Sequence, residues 1–404
     1  MGRLVRLVAA VVISVVALGG VVRLVGPAQD IPSVRRQMTF LRSELTDGAA
    51  TTAQGQFPEG YFFLYVLYGL TAVDLGDAGE ARWALAHLDS AEGREPFSAD
   101  LTPPYGVFYV GWLNFYVGWL NRLRGGILSL SPPGTTDPAF DRDSAALAAA
   151  FDASPTPFLP AYPSRAWPVD STVAIASLAL HDKLTTPRYG PTIARWLSGV
   201  RVRLDPATGL LPHTADLETG APTAGARGSS QSIIQRFLPE IDPDFARSQY
   251  LTFRSRFLAR PLGLGPAIRE YPHGTTGPAD VDSGPLPLGI SLSATVVTLG
   301  AARVQRDESL AAGLANFGDL AGVPLDTWHT RRYAFGAVPI GDAFLAWSKS
   351  ARPLAASPPP SVLSRWWRLP LLTVLLLLAV APWVLRLLTA APWVPAIIRR
   401  RRSV

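Results

Sequence analysis

No cysteine occurs anywhere in the 404 residues. A disulfide framework, a thiolate nucleophile and a sulfur-ligated metal site are excluded at once. Histidine is scarce, five in all, and neither HExxH nor a carboxylate cage occurs. No transition metal is therefore expected, though Asp280 and Asp282 are close enough in sequence for a calcium ion to be considered. There is no P-loop. "GLGPAI" and "GGILSL" lack the strand–glycine–helix setting of a nucleotide site, and "ARGSSQ" is not the GxSxG elbow of a serine hydrolase. No cofactor and no nucleotide are expected. Charge is also short: 17% of residues are charged and 48% hydrophobic, a greasy balance for a soluble chain.

Much of the apolar excess lies at the two ends. Residues 7–22, "LVAAVVISVVALGGVV", and 369–385, "LPLLTVLLLLAVAPWVL", carry no charge. Each covers roughly 25 Å as a helix, and apolar neighbours extend both, so each is read as a transmembrane helix. Arg3 and Arg6 ahead of an apolar run also describe a signal peptide. Arg23 and Pro27 make Gly26-Pro27-Ala28 a poor cleavage site, which favours an uncleaved anchor. The net charge of +6 belongs to these flanks: residues 1–26 and 365–404 hold ten arginines and no acid, which leaves the body at −4. A nucleic-acid surface is not expected. Arg3, Arg6 and the run Arg399 to Arg402 place both termini in the cytoplasm and the long middle outside, in the plasma membrane of a bacterium.

The expected organisation is an anchor over 1–26, a body over 33–352, a Pro/Ser/Trp-rich linker over 353–368, a second span over 369–390 and a basic tail over 391–404. Twelve helical stretches are expected in the body: 33–46, 57–75, 78–91, 105–123, 141–152, 167–184, 188–203, 230–239, 242–259, 283–303, 306–320 and 341–351. Asp77, Asp143 and Ser229 are read as N-caps, and Gly76, Gly125 and Gly263 as following helix ends. "LDPATGLLPHTADLETG", 204–220, reads as an inserted β-hairpin. Alternate stretches are apolar nearly all round, such as "YFFLYVLYGLTAV" and "STVAIASLAL"; their partners, such as "DAGEARWALAHLDS", have charged faces. A helix greasy on every side is buried on every side. Six such helices begin near 59, 105, 167, 228, 283 and 341, about 46 to 62 residues apart, which points to a repeated hairpin. The fold class is all-α: an (α/α)6 barrel of about twelve helices with a small β-hairpin insertion, flanked by the two transmembrane helices.

Parallel inner helices would bring all six of their leading segments to one rim. Those segments supply Glu59, Tyr105, Trp167, Asp170, Arg227, Ser229, Ser230, Gln231, Asp280, Asp282, Tyr333 and Asp342. The longest, "REYPHGTTGPADVDSGP", adds Arg269, Glu270, Tyr271 and His273. Aromatic faces stack on sugar rings, while carboxylates and arginines bind hydroxyls. Two carboxylates across a glycosidic bond divide acid and base roles. Asp170, Glu270 and Asp282 are the candidate catalytic acids, with Asp280 in reserve. Glu59, Tyr105, Trp167, Arg227, Ser230, Gln231, Arg269, Tyr271, His273, Asp280, Tyr333 and Asp342 are candidate substrate contacts. His273 or Tyr271 could instead move a proton in a lyase or isomerase. The structural alternatives are plain: Asp170, Ser229, Asp282 and Asp342 sit where N-caps belong, Arg227 and Arg269 could simply pair with acids, and His87, His181, His213 and His329 read as structural.

The body resembles the six-hairpin (α/α)6 toroid superfamily, which includes many glycoside hydrolases and some polysaccharide lyases. The likeness covers roughly 33–352 and rests on architecture. It implies an active site at the rim where the inner helices begin. "WPVDS", "ARGSSQS" and "YPHG…DVDSGP" also give a likeness to linalool dehydratase/isomerase-like proteins, but those use cysteine and this chain has none. The leading expectation is a membrane-anchored hydrolase of a cell-envelope carbohydrate or glycolipid. The alternatives are a non-catalytic glycan- or partner-binding envelope protein, and a lyase or dehydratase acting on an isoprenoid or lipid.

Overall fold

A computed structural model describes residues 2–28, 31–127, 137–355 and 359–390. The basic tail over 391–404 lies outside the described residues, as do residues 356–358 of the linker. The helices are α1 (Gly2–Val25), α2 (Ile31–Thr46), α3 (Ala49–Gln54), α4 (Gly60–Asp74), α5 (Ala78–Leu88), α6 (Ala91–Arg94), α7 (Gly106–Ile127) and α8 (Pro138–Ala153). They continue with α9 (Pro168–Leu184), α10 (Gly190–Arg201), α11 (Gly228–Ile241), α12 (Pro243–Phe257), α13 (Leu292–Val304), α14 (Glu308–Ala321), α15 (Pro339–Ser350) and α16 (Arg368–Ala390). Strands among the described residues are two or three residues long.

The apolar helices form the inner ring. Helix α4 packs on α7, α7 on α9, α9 on α11, α11 on α13, α13 on α15, and α15 back on α4. The amphipathic α5, α8, α10, α12 and α14 each cover the inner helix before them, and α2 closes the outer layer against α15. This is an all-α (α/α)6 toroid. Burial follows the composition: α4 is buried almost from end to end, and Trp112, Phe237 and Trp347 meet at its centre. Glycine lets α7 and α9 approach closely. A Cβ on Gly111 of α7 would lie 2.9 Å from the Ala174 Cβ of α9.

The inner helices run parallel. At their C-terminal ends Ser350 donates to Asp74, Gln305 to the Gln235 carbonyl, and Lys183 to Glu240. That end is called the base. The segments leading into the helices gather at the other end, the mouth.

Most spans match the sequence pattern to within a turn. The exception is 283–303, whose helix starts only at Leu292. Pro285, Pro287 and Gly289 prevent an earlier start; a tight turn occupies Pro287–Gly289, and Ser291 caps α13 by accepting from Ala294 N. Asp77 caps α5 as expected. Asp143 and Ser229 lie inside helices; α8 is capped by Asp137. Gly76 follows α4 with φ 81°, α7 runs through Gly125, and Gly263 sits in a turn beyond α12. The hairpin insertion is shorter and later than expected: β1 (Thr214–Ala215) pairs antiparallel with β2 (Pro222–Ala224). Two further hairpins pair β3 (Leu258–Ala259) with β4 (Ala267–Ile268) and β5 (Leu325–Asp326) with β6 (Arg331–Arg332).

Helices α1 and α16 are long and apolar enough to cross a membrane. They pair antiparallel: Leu375 lies against Gly20, while Ser14 donates to the Ala379 carbonyl and accepts from Trp383 Nε1.

Candidate active site

Asp170 is the third residue of α9. The residue before that helix, Trp167, gives it no side-chain cap. Asp170 is buried and its carboxyl accepts no hydrogen bond among the described residues, although it stands where an N-terminal carboxylate could cap. Burial pushes its pKa well above the ordinary carboxylate range, and the nearby charges of Asp282 and Glu59 push it further. Its carboxyl therefore holds its proton to higher pH than an ordinary aspartate does.

Glu59 precedes α4 and likewise makes no cap bond. It accepts instead from the Tyr162 hydroxyl. Burial, then Glu59, keeps that phenol protonated, with Asp170 and Asp282 adding to the effect. Trp167 and Tyr162 pack nearly perpendicular with ring centres 5.5 Å apart, and Phe97 stacks on Tyr162 at 6.1 Å. Asp282 comes from the loop ahead of α13. It is exposed at the mouth, yet protein walls its carboxyl closely enough to raise its pKa to about 6. Burial is the main cause, with Asp280 and Glu59 adding and Arg227 opposing. Four groups from three distant segments thus face one another: Glu59, Tyr162, Asp170 and Asp282.

Beside them lies a paired cluster. Arg227 donates from Nε to Glu270 at 2.7 Å and pairs through Nη1 with Asp280. Its guanidinium sits 5.2 Å from the Tyr271 ring centre, and Nη2 is buried without a partner. Glu270 is fully buried and both of its oxygens are taken. It accepts from Arg227 and from the Ser229 hydroxyl and amide, so it caps α11 from another loop. The loop can lie that close only because residue 228 is glycine; a Cβ there would sit 2.1 Å from the Arg269 carbonyl oxygen. Burial would raise Asp280, but the Ser283 amide and Arg227 hold it below the usual range. His213 is buried with Nδ1 2.5 Å from Ser230 Oγ. Burial, then Arg227, lowers its pKa to about 4, so it is neutral.

His213, Asp280 and Asp282 bring one ligand atom each within 4.8 Å of one another. They are near enough to share a cation, but Arg227 already supplies the positive charge to Asp280.

The mouth thus gathers Glu59, Trp167, Asp170, Arg227, Ser230, Glu270, Asp280 and Asp282. Tyr105 stands at its edge, its ring 5.6 Å from Tyr109. Other candidates are engaged elsewhere. Gln231 is buried between Leu211 and Gln235. Arg269 donates to the carbonyls of Tyr271 and Thr275 and Tyr271 to Pro278, so both brace their own loop, while His273 ties that loop to Leu258 of β3. Asp342 accepts from Gln37 and from Tyr333 N, and Tyr333 joins Asp319, Arg331 and Lys349 behind α15. None of Asp170, Ser229, Asp282 and Asp342 is the N-cap of its helix.

The sequence pattern missed two residues. Tyr162 sits four positions before Ala166 in a turn whose one charge, Arg165, does not mark it as a site residue. His213 was read as structural, and its buried bond to Ser230 agrees, yet it borders the acids. Away from the mouth, a cavity of about 40 Å³ at the base is lined by apolar side chains and by Asp74 and Arg236. A groove of about 280 Å³ between α2 and α5 is lined by Arg35, Arg42, Tyr68, Asp77 and Glu80. Neither holds an unpaired buried acid.

No protein-family model and no curated protein matches the chain. Among solved structures it is similar to a GH76 α-mannanase of Bacteroides thetaiotaomicron, with TM-score 0.44 and 10% identity over 71% of this chain and 84% of that one. At that level the likeness transfers no residue and no activity.

Proposed function

We propose that the mouth hydrolyses a glycosidic bond of a cell-envelope carbohydrate. The observation that carries this is the pairing of unlike acids: Asp170, buried and without a hydrogen bond among the described residues, faces Asp282, which is exposed at the mouth; burial raises both, Asp282 to about 6 and Asp170 well above its ordinary range. Asp170 donates its proton to the glycosidic oxygen as the bond breaks. Asp282 takes the proton of the attacking water, and the carboxylates of Asp282 and Glu59 stabilise the cationic sugar centre. Trp167 and Tyr105 offer apolar faces to the ring, and Arg227 Nη2 offers a donor to a hydroxyl. Glu270 takes no chemical role here, because it has no free oxygen. Helices α1 and α16 cross the membrane, the toroid lies outside, and both termini are cytoplasmic.

The test is turnover by the detergent-solubilised full chain on a panel of aryl glycosides and envelope polysaccharides, read as reducing sugar. Asp170→Asn and Asp282→Asn should each lower the rate about 10²- to 10⁴-fold, the range for one acid–base group. The wild-type rate should fall below about pH 6 as Asp282 protonates and fall again at higher pH as Asp170 ionises. Saturable glycan binding with no product from any substrate would assign the mouth to recognition without catalysis.

A further inference from the structure

The two apolar helices have a direction relative to the mouth. Helix α14 starts beside Asp307 at the base and ends at Ala321 at the mouth. Helix α1 runs antiparallel to it. Arg303 at the base donates to the Ala28 carbonyl, Asn316 further up donates to the Gly26 and Arg23 carbonyls, and Gly20 lies beside Leu320. Residue 20 is thus level with the end of α14. The helix N-terminal to it continues past the mouth rim for about 27 Å at about 1.5 Å per residue. Helix α16 follows the same course. Its foot is fixed by Arg368 donating to Asn316 and by the Trp367 ring against Phe317, and Leu375 reaches the level of Gly20. The apolar pair stands on the mouth side of the toroid.

The mouth-side loops are also unusually greasy. Leu262, Val281, Leu288, Leu292, Trp328 and Phe335 are all exposed, Trp328 by 95% and Leu262 by 81%. All lie in the segments joining outer helices α12 and α14 to the inner helices that follow them, except Leu292, the first residue of α13. Three are held out at strained turn tips: Leu262 and Leu288 at φ 55° and Phe335 at φ 62°. The first two occupy identical Pro-Leu-Gly turns. A bulky residue in the left-handed region costs about 1–2 kcal/mol where glycine would cost nothing. Retaining leucine at an exposed tip makes sense when the side chain is used. The hairpin carrying Leu262 rests Gly265 on Phe317 at the foot of α16, and the one carrying Trp328 offers its Pro324 carbonyl to Arg23 of α1. The tips and the spans belong to one continuous surface.

We infer that the mouth faces the bilayer that α1 and α16 enter, with these apolar tips immersed in the headgroup region, so that the saccharide taken is one carried on a membrane lipid. Aromatic and aliphatic tips suit that interface. A lipid-linked sugar would reach Asp170 and Asp282 without leaving the membrane surface, whereas a free polymer would have to pass between toroid and headgroups. The inference rests on the glycosidase assignment for its substrate clause and on the spanning assignment for its orientation.

The absence of cysteine makes the test clean, because one introduced thiol carries the only label. Leu288→Cys, Trp328→Cys and, at the base between α9 and α10, Thr186→Cys would each be labelled with an environment-sensitive fluorophore. The full chain would sit in vesicles of equal parts phosphatidylethanolamine and phosphatidylglycerol. Labels at 288 and 328 should be quenched by acyl-brominated lipid and be several-fold less accessible to iodide than the label at 186. Equal iodide quenching at all three positions would overturn the orientation. In a second arm, the glycolipid fraction and the delipidated polysaccharide fraction of the source envelope are incubated with the unlabelled protein. Sugar should be released from the glycolipid fraction. Release from the polysaccharide alone would overturn the substrate class. Immersed labels with no release from either fraction would keep the orientation while removing the substrate clause together with the glycosidase assignment.

Discussion

The two ends of the toroid treat buried charge in opposite ways. At the base the buried carboxylates named here each have a cationic partner. Asp74 faces Arg236 at 3.7 Å and accepts from Ser350, Lys183 pairs with Glu240, and Arg254 pairs with Asp307. At the mouth Glu59, Asp170 and Asp282 crowd together, with Tyr162 bonded to Glu59 and no ion pair to any of the three among the described residues. Buried charges are ordinarily neutralised because desolvation is expensive. The base obeys that economy, and its ion pairs are architecture. The mouth breaks it, and unlike pKa values pushed apart by surroundings are what acid–base chemistry requires. Glu270 lies at the mouth but behaves like the base, since it is saturated by Arg227 and Ser229.

That comparison predicts stability as well as activity. The largest effect is expected at Glu270. Glu270→Ala removes a partner from a buried pair, strands Arg227 and uncaps α11, at about 3–5 kcal/mol, measured by denaturant unfolding of the detergent-solubilised chain. A loss under 1 kcal/mol would mean that its bonds are incidental and would return it to the list of candidate acids. Asp74→Ala comes next. Burial raises Asp74 to about 6 and lowers Arg236 to about 9, so each partner is already poorly served by its surroundings. Arg236 would keep the Trp347 carbonyl and the Trp347 ring, 3.5 Å from its guanidinium carbon. The expected loss is about 2–3 kcal/mol, below that of a well-satisfied pair, with turnover per folded molecule unchanged. A loss of turnover would make the base part of the site.

The ring itself was legible in the sequence because burial on every side leaves a strong mark: "YFFLYVLYGLTAV" and "STVAIASLAL" have no polar face to give to water. The start of α13 was not, because Asp282 and Ser283 read as a cap followed by helix, while Pro285, Pro287 and Gly289 keep the backbone in turns and out of an α-helix until Ser291. The polar residues of the mouth were legible as a set, since each precedes an inner helix. Their roles were not. Asp170 and Glu270 look equivalent in a string of letters; what separates them is that Gly228 lets one loop press Glu270 onto the first turn of α11, while nothing reaches Asp170. Tyr162 left no signal, because a tyrosine in a proline-rich connection is ordinary until the fold sets it against Glu59. Which way the mouth points was equally hidden, since it depends on α1 lying along α14.

The smallest effect is the most discriminating, because it has the opposite sign. Asp170 has no hydrogen bond to lose, so Asp170→Asn should leave stability unchanged or raise it, by roughly 1 kcal/mol at pH 8, the scale of an unpaired buried polar group. The linkage fixes the direction. A carboxyl whose folded pKa lies above the unfolded value of about 3.9 binds its proton more tightly in the native state. Its stabilisation is complete below pH ~4 and is lost as pH rises through the folded value. Asp170 and Asp282 are both raised, so the wild-type chain should melt lower at pH 8 than at pH 5. Asp280 is held low by Ser283 and Arg227 and acts the other way, but only as pH falls below ~4. Asp74 is raised to about 6 and contributes the same sign as the mouth, so the wild-type slope alone does not separate the two ends. Asp170→Asn does, since it removes one mouth acid and leaves the base untouched. Melting temperatures of both chains at pH 5 and pH 8 should converge at the lower pH and part at the higher, with the variant above. Parallel curves would mean that Asp170 finds a partner in solution, and the contrast between a paired base and an unpaired mouth would fail at its central residue.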